Sequence, residues 1–441
     1  MNITDCPLPS PEVVLRLDLP DYALLFHPLF DEVVALPQVA LATWRAVDGR
    51  RSVAEIASLV QAQCEDAPPV MAADVAAFLD DLKCRGFVSI EPVEPPPGEE
   101  GPKGFLTERG LGVCDAPAIS ETGILPAKPF GPVFLSLADG SRFHLVALDE
   151  PAWRVLAQFA AAACLAAPGK AGAGQTLYLA TTDAIHPEGQ PDPRVMDDKK
   201  LFILQPPGEH PVKRDGRGRG SPRVQAPVSE AEWLWLQLVR LSAFIGQQVQ
   251  PRGGLLLHSA LALAPIPSPL APSSSVLLAG RSGVGKSTAS RGLPTPWRSL
   301  SDDVALVVRD AAGDYWAHPW PTWSRIYEQH HDDRWDTQAA VPLRAIFILE
   351  QGADDFVRPA APAEAVSLLV ELSQQASRHL WRTGRRRPDI DGMRTFNRQR
   401  FDNVCALVSS VPVYLLDVTL NGSFWCEIEQ VMALQTSISP T

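Results

Sequence analysis

Residues 278–288 read LAGRSGVGKST, and their spacing matches the pattern G-x-x-x-x-G-K-[ST]. In such a loop, glycines let backbone N–H groups turn towards phosphates, the lysine reaches the β- and γ-phosphates, and the hydroxyl ligates Mg²⁺. A glycine-rich loop without a ligand is the alternative, but SVLLA before it and KSTASRG after it predict the required strand and helix. The predicted nucleotide-binding residues are Gly280, Arg281, Ser282, Gly283, Val284, Gly285, Lys286, Ser287 and Thr288.

Two adjacent carboxylates follow this loop in WRSLSDDVALVV, where Asp302 and Asp303 precede an apolar strand. Adjacent residues of an extended segment point to opposite sides. One carboxylate can therefore face a metal ion while the other accepts a proton from an attacking hydroxyl. The alternative is a solvated turn with no chemical role.

The pieces LLLHSAL, LLAGRSGVGKST and SLSDDVALV occur in this order with short gaps, and together they resemble the HPr kinase/phosphorylase superfamily. The resemblance implies an ATP- and Mg²⁺-dependent serine kinase. It places His258 and Lys286 at the active site, with Asp302 as the catalytic base and with Ser287 and Asp303 on the metal. The roles of the two aspartates could be exchanged, and His258 could instead be a structural histidine.

One part of the HPr kinase signature is missing, because no Glu-Ile-Arg-Gly segment follows the acidic pair. In its place stands YWAHPWPTWSRI, and with AIFILEQG further on it resembles the ScmC proteins of SynChlorMet peptide-modification cassettes. The loss argues against the phosphorylase direction and against HPr as substrate. Residues 320–325 either shape an acceptor pocket or form a rigid packing corner, since tryptophan and proline serve both purposes.

The first ninety residues predict three small helices and terminal strands, which is a winged-helix-like arrangement. The segments ALATWRAVDGRRSVAEIASLV and VAAFLDDLKCRGFV resemble PqqD-type domains, the recognition elements of ribosomally made, post-translationally modified peptides. The resemblance implies that the leader of a precursor peptide adds a strand here, between the strand around 23–29 and the helix 71–84. A DNA-binding or dimerisation module is the alternative. The third helix carries Asp74, Asp80 and Asp81, which argues against nucleic acid.

Chain length and proline distribution predict the domain organisation. The 441 residues exceed one typical core, and the proline-rich segment 92–103 marks a boundary. We predict an α/β multidomain protein with a PqqD-like domain at 1–93, a small α+β region at 104–228, and an HPr-kinase-like P-loop α/β domain at 229–441. The alternation of strands and helices in the last domain favours a mostly parallel sheet.

Composition excludes several classes of protein. The net charge of −12 argues against a general nucleic-acid binder, and no apolar stretch is long enough for a membrane span. The seven cysteines include no CxxC pair, and the N-terminus does not resemble a signal peptide, so a reduced, cytoplasmic protein is expected. A basic run at 382–400 is either a solvated surface or a site for an acidic peptide or a phosphate.

These features predict a kinase that phosphorylates a Ser or Thr hydroxyl of a precursor peptide recruited through its leader. The alternatives are a P-loop ATPase or nucleotide sensor, a non-catalytic leader escort, and a kinase for a small molecule. A modifying enzyme of the same cassette is a further candidate partner. The oligomeric state stays open, although the resemblance to hexameric HPr kinases makes a homo-oligomer one of the options.

Overall fold

The computed structural model describes residues 1–2, 4–16, 23–63, 72–90, 130–165, 174–181, 199–204, 229–265, 274–327, 333–380, 390–420 and 422–438. The chain divides into two compact units. Unit 1 comprises 1–115, 361–367 and 390–401, and unit 2 comprises 116–360, 368–389 and 402–441. None of the helices within the described ranges has the length and apolar character needed to cross a membrane.

In the described part of residues 1–115, unit 1 contains three helices and two small antiparallel sheets, as the winged-helix-like pattern predicts. One sheet has the strand order β2-β3-β4, and in the other β1 pairs with β5. The elements are β1 (Leu8–Pro9), β2 (Val14–Arg16), β3 (Ala23–His27), β4 (Glu32–Leu36), α1 (Gln38–Ala46), α2 (Val53–Gln63), α3 (Ala72–Cys84) and β5 (Val88–Ser89).

Local signals position these helices. At the start of α2, the Ser52 N–H donates to Glu55 Oε2 at 2.8 Å and the Glu55 N–H donates to Ser52 Oγ at 3.4 Å, so a capping box begins this helix. Helix α1 ends at Ala46. Gly49 has φ of 74° in the turn that follows, a conformation that favours glycine.

Strand β3 is the centre of its sheet, and this corrects the predicted leader site at 23–29 and 71–84. The backbone of β3 pairs with β2 on one side and with β4 on the other, so it has no free edge for a further strand. The inward face of α3 is also occupied, since Val75, Leu79 and Leu82 are buried in the core of unit 1. Of the two edges of this sheet, β4 lies next to the end of α3 through the ion pair of Arg85 with Glu32.

Unit 1 also includes the first part of a long helix that begins at residue 390. The ring of Phe401 stacks on that of Phe26 at 4.3 Å between centroids, and the Asn397 amide donates to the Pro28 carbonyl at 2.8 Å. Arg400 pairs with Asp31, and Arg394 pairs with Glu12 at 2.6 Å. Two arginines of the predicted basic run are therefore occupied by ion pairs, while 382–387 lies outside the described residues.

Unit 2 begins with a four-stranded sheet of order β6-β7-β8-β9. Its elements are β6 (Phe130–Ser136), β7 (Arg142–Ala147), α4 (Glu150–Ala162), β8 (Gln175–Thr181) and β9 (Lys199–Leu204). The hairpin β6-β7 is antiparallel, whereas β7-β8 and β8-β9 are parallel, with α4 between β7 and β8 in the chain. This combination of strands and a helix agrees with the α+β fold that is predicted for the middle region.

A second, nine-stranded sheet has the order β10-β14-β15-β16-β12-β11-β13, and β18 joins β16 to β17. The elements are α5 (Glu230–Val249), β10 (Leu255–Leu257), β11 (Ser259–Leu263), β12 (Ser275–Ala279), α6 (Lys286–Gly292), β13 (Arg298–Ser301), β14 (Ala305–Arg309), β15 (Tyr315–Pro319), α7 (Trp323–Tyr327), β16 (Val341–Gln351), β17 (Phe356–Pro359), α8 (Pro362–Ser377), α9 (Ile390–Ser410), β18 (Val413–Val418) and α10 (Phe424–Ile438).

This sheet is mixed, so the prediction of a mostly parallel sheet was wrong. Only the pairs β12-β16 and β16-β18 are parallel, and the remaining pairs are antiparallel. The reason lies in the connections. A tight turn such as 310–314 between β14 and β15 permits only antiparallel pairing, because a parallel pair needs a long crossover.

The middle region and the segment from 229 onwards share one hydrophobic core. Phe159 of α4 lies 5.9 Å from Trp320 and 5.6 Å from Trp323 between ring centroids. The backbone N–H of Trp335 donates to the backbone carbonyl of Ala162 at 2.8 Å. The boundary predicted at 228 therefore separates two sequence segments that pack as one unit.

Asp149 provides a test of how α4 is held against the sheet. Its carboxylate caps α4 by accepting from the Ala152 N–H at 2.8 Å, and it accepts from the backbone N–H and the hydroxyl of Thr181 at 2.6 and 2.8 Å. Asp149→Ala should lower the free energy of unfolding of unit 2 by about 2 kcal/mol or more, since a cap and a partly buried backbone donor both lose their partner. Urea denaturation followed by circular dichroism measures this.

The matched control is Ser229→Ala, which removes only the bond from the Glu232 N–H to the Ser229 hydroxyl at the start of α5. Its cost should be about 1 kcal/mol, typical of an N-cap serine. An equal loss for both variants would contradict the proposed role of Asp149 in joining α4 to β8.

Candidate functional site

The glycine-rich loop 280–285 joins the buried strand β12 to helix α6, as the motif requires. Gly283 has φ of 86° and Gly285 has φ of 112°, and a Cβ at either position would meet no atom within 4 Å. A Cβ on Gly280 would lie 2.8 Å from Val284 Cγ1. The first glycine is thus fixed by close packing, whereas the other two are fixed by backbone conformation and face open space.

The side chain of Lys286 folds back over this loop. Its ammonium donates to the carbonyls of Gly280 and Arg281 at 2.8 and 3.1 Å, and the residue is buried. Burial lowers the pKa of Lys286, and the nearby carboxylate of Asp303 opposes this shift. A buried ammonium held by two neutral carbonyls is well placed to receive an anion, because a phosphate would supply the missing negative charge.

Two further residues of the predicted nucleotide-binding set, Ser287 and Arg281, contact other parts of unit 2. The Ser287 hydroxyl donates to the backbone carbonyl of Asp302 at 3.2 Å, which ties the start of α6 to the acidic pair. The guanidinium of Arg281 is exposed and pairs with Glu371 at 2.9 Å. Across the described residues, no group of three or more His, Cys, Asp or Glu side chains could hold a metal ion.

The two aspartates point in different directions, as their adjacency predicts. The carboxylate of Asp302 is buried and accepts from the Thr322 hydroxyl at 2.6 Å, from Arg291 at 2.7 Å and from Arg325 at 3.2 Å. Burial alone would raise the pKa of Asp302, but these three donors outweigh it and hold the pKa below its usual value. The Asp302 carboxylate is therefore ionised and already occupied by protein donors.

Asp303 faces His258, which lies between β10 and β11. The distance from His258 Nε2 to Asp303 Oδ1 is 2.8 Å, and the backbone N–H of His258 donates to the Leu372 carbonyl. The His258 side chain is 14% exposed and that of Asp303 is 33% exposed. Nδ1 of His258 is buried without a hydrogen-bond partner among the described residues.

A cavity of about 160 Å³, which we name the aromatic cavity, opens beside this pair. Ser282 of the glycine-rich loop, His258 and Asp303 line one part of it. The indoles of Trp235, Trp320 and Trp323 line the remainder, together with Val239, Ser242, Leu256, Val304, Ser324, Gln375, Ala376, Arg378 and His379.

A second and larger cavity, of about 740 Å³, also borders the glycine-rich loop, and we name it the loop cavity. It is lined by Gly283, Gly285 and Thr288, and by Thr419, Phe424 and Trp425 from the end of β18 and the start of α10. Its volume falls in the usual range for small-molecule sites. The same short loop thus contributes Ser282 to one cavity and its glycines to another.

Residues 320–325 form a packing corner that also borders a cavity, and its use as an acceptor pocket stays a prediction. Trp320 and Trp323 are buried in the core of unit 2, and both also line the aromatic cavity. Thr322 and Arg325 hold the Asp302 carboxylate. The sequence analysis named this segment, but it assigned no role to Arg291, Trp235 or His379, which become neighbours of the site only through the tertiary fold.

Comparison with known proteins shows that two segments of the chain match two family models. Residues 22–88 match the family model of coenzyme PQQ synthesis protein D (PqqD), and residues 225–433 match that of SynChlorMet cassette protein ScmC. A search of curated proteins gave no match. Both resemblances drawn from the sequence are confirmed, while the relation to HPr kinases stays a prediction. The chain therefore joins a PqqD-like segment to an ScmC-like segment, a combination that belongs to peptide modification.

Proposed function

We propose that this protein is an ATP- and Mg²⁺-dependent kinase that phosphorylates a Ser or Thr hydroxyl of a precursor peptide. One observation carries the proposal. The glycine-rich loop with its buried lysine meets the His258–Asp303 pair at the aromatic cavity. Phosphoryl transfer to an alcohol needs a loop that binds the phosphates of the donor and a group that accepts the hydroxyl proton. Here both would lie around one cavity.

The loop cavity is the proposed site of the nucleoside. Phe424 and Trp425 offer aromatic surface to a base, and the adjacent Gly283, Gly285 and Thr288 offer backbone N–H groups to phosphates. The terminal phosphate would then lie towards Lys286 and Ser282. This path brings the transferred group to the rim of the aromatic cavity.

The residues present fit a Mg²⁺ ion that is held mainly by its substrate. Ser287 supplies a hydroxyl, and Mg²⁺ in such sites commonly takes one or two protein ligands, with phosphates and waters filling the rest. When bound, the ion would neutralise charge on the phosphates. The Asp302 carboxylate contributes no free oxygen here because Thr322, Arg291 and Arg325 occupy it.

The geometry favours Asp303 as the base in place of Asp302, and it gives Asp302 the role of an anchor; neither aspartate then keeps the predicted place on the metal ion. The Asp303 carboxylate accepts from His258 and remains one-third exposed beside the cavity. In the proposed step the substrate oxygen forms a bond to the γ-phosphorus, the bond from that phosphorus to the oxygen of the departing ADP breaks, and the hydroxyl proton moves to Asp303. His258 keeps the carboxylate in position.

The PqqD-like segment is the proposed recruitment site for the leader. Since β3 is paired on both sides, an added strand would have to dock at an edge, and β4 is the edge adjoining α3. Arg85 donates to the Val33 carbonyl at 3.0 Å, which shows that Val33 directs its backbone groups away from β3. Because backbone groups of successive residues alternate in direction along a strand, the N–H and C=O of Ala35 also point away from β3.

Lys286 gives the first test of phosphoryl transfer. Lys286→Ala should lower transfer from ATP about 100-fold or more, since it removes the one buried cation aimed at the loop. The control is Arg154→Ala, which removes an exposed pair with Glu230 and should change the rate by roughly fivefold at most. Mass spectrometry of candidate precursor peptides incubated with the protein, ATP and Mg²⁺ measures both. Equal rates in the two variants would argue for a role of the loop outside transfer.

The two aspartates give the second test. Asp303→Asn should lower kcat by roughly 10²- to 10⁴-fold while nucleotide binding and thermal stability stay near the parent values. Asp302→Asn should instead lower the free energy of unfolding by about 1–3 kcal/mol, because two arginines lose their charged partner. The reverse pattern would return the base role to Asp302. Peptide-stimulated release of free phosphate, unchanged in Asp303→Asn, would favour an ATPase.

Ala35 gives the test of recruitment. Ala35→Pro removes a backbone N–H on the free edge of β4 without removing a bond to β3, so leader affinity should fall about tenfold or more while the fold persists. Fluorescence anisotropy with the labelled leader segment of a candidate precursor peptide measures the affinity. Ala35→Thr keeps the N–H and serves as the control. Unaltered affinity in Ala35→Pro would exclude β4 as the docking edge.

A further inference from the structure

The lining of the aromatic cavity carries one exposed cation. Arg378, the first residue after α8, is the only lysine or arginine among the described residues that line this cavity. Its side chain is exposed, whereas Trp320 and Trp323 are buried. A peptide whose hydroxyl reaches Asp303, which lines the same cavity, can therefore also reach the guanidinium of Arg378.

The charge of Arg378 has no counter-charge in the described part of the chain. Three other arginines around the site are neutralised by ion pairs, two of them with Asp302 and one with Glu371. Arg378 forms no ion pair with any carboxylate that the structure describes, and its one hydrogen bond goes to a neutral acceptor. An exposed positive charge of this kind attracts an anionic group of a ligand.

The guanidinium of Arg378 is held through one nitrogen. Its Nε–H donates to Nε2 of His379 at 3.0 Å, and the buried ring of His379 lies edge-on to that of Trp235 at 5.9 Å between centroids. The two terminal amino groups have no partner among the described residues. Their N–H groups form a rigid fork that matches two oxygens of a carboxylate or a phosphate.

The position of this fork along α8 distinguishes between those two anions. Glu371 of α8 pairs with Arg281 of the glycine-rich loop at 2.9 Å. From Glu371 to Ser377 the helix rises by about 9 Å, so Arg378 follows the end of α8 that is remote from this contact. The loop already provides Lys286 for the phosphoryl group. The remaining anion, a carboxylate of the peptide, is therefore the better partner for Arg378.

On the basis of the proposed function, we propose that Arg378 selects the acceptor by binding the carboxylate of an Asp or Glu residue near the acceptor Ser or Thr. Side chains two residues apart in an extended peptide point to the same side and are separated by about 7 Å. Such a separation suits two groups that contact different parts of one cavity rim. An acidic residue two positions from the acceptor should therefore be preferred.

Short peptides test this selection with the full chain. The set is acetylated, amidated Gly-Asp-Gly-Ser-Gly-Gly-Gly and Gly-Gly-Gly-Ser-Gly-Asp-Gly, each with Asn and Lys versions at the aspartate. In the better of the two orders, kcat/KM should fall about 5- to 20-fold from Asp to Asn. This lies between the effect of an exposed ion pair and that of a buried charge-assisted hydrogen bond. High salt should reduce the ratio, because the contact is exposed.

Charge reversal provides the sharpest variant. Arg378→Glu should invert the preference, so that the Lys peptide exceeds the Asp peptide about fivefold in kcat/KM. Arg378→Lys keeps the charge without the fork, so the Asp-to-Asn ratio should fall to about 2 or 3.

The matched control is Arg154→Glu, which makes the same change in net charge at an exposed arginine outside the cavity lining. Its Asp-to-Asn ratio should stay within about twofold of the parent value, because exposed charges outside the site are screened. An equal change of the ratio in Arg378→Glu and Arg154→Glu would assign the preference to net charge and overturn the inference.

NMR of the protein labelled with ¹⁵N-arginine tests the contact without any catalytic step. The Nε–H signal of Arg378, identified by its loss in Arg378→Lys, should shift on addition of the Asp peptide and not of the Asn peptide. Such a shift together with absence of transfer to every peptide would contradict the kinase proposal alone. The inference is overturned if both peptides have the same effect on this signal, or if an active enzyme shows equal kcat/KM for them. An equal loss of kcat for all peptides in Arg378→Glu would also overturn it, since the guanidinium would then act on the transferred phosphate.

Discussion

The candidate site depends on the buried carboxylate of Asp302. Three donors from α6, from α7 and from the residue before α7 converge on it, and the Ser287 hydroxyl binds its backbone carbonyl. Since a buried carboxylate is stable only when it is paired, these contacts fix the segment between β13 and β14 in one conformation. The next residue, Asp303, is then held with its side chain on the opposite side, where it meets His258. An anchor of this kind determines the direction of its neighbour without taking part in the chemistry.

The aromatic cavity follows from the way unit 2 builds its core. Trp320 and Trp323 each contact Phe159 from α4, so the middle region supports the indoles from behind. Both tryptophans also border the cavity, although almost all of their surface is buried in the core. A wall that belongs to a close-packed core cannot collapse into the empty space, which keeps the cavity open in the absence of a ligand. This dependence explains why the middle region, which carries no recognisable chemistry of its own, packs in one unit with the glycine-rich loop.

The sequence predicted those parts of the structure that local rules determine. The loop 280–285, with strand β12 before it and helix α6 after it, and the three helices α1 to α3 depend on residues a few positions apart. The predictions that were wrong concern features that depend on residues far apart in the sequence. A strand such as 23–27 is recognisable by composition, but its central place depends on which strands flank it. Because Asp302 and Asp303 are adjacent, the sequence indicated that their side chains point in different directions. It did not indicate that Asp302 is the one whose charge is neutralised, since this depends on the positions of Arg291 and Arg325.

The proposed function divides substrate recognition between two kinds of interaction. Strand addition at β4 would use main-chain hydrogen bonds, which bring affinity but discriminate little between side chains. Tethering by the leader raises the local concentration of every hydroxyl in the attached core peptide, so it cannot by itself select one of them. Selection must then come from contacts beside the acceptor. The aromatic cavity borders the His258–Asp303 pair, so contacts with its lining lie where such a selection would be made. A kinase that receives a tethered peptide can therefore combine a permissive recruitment site with a narrow choice of residue.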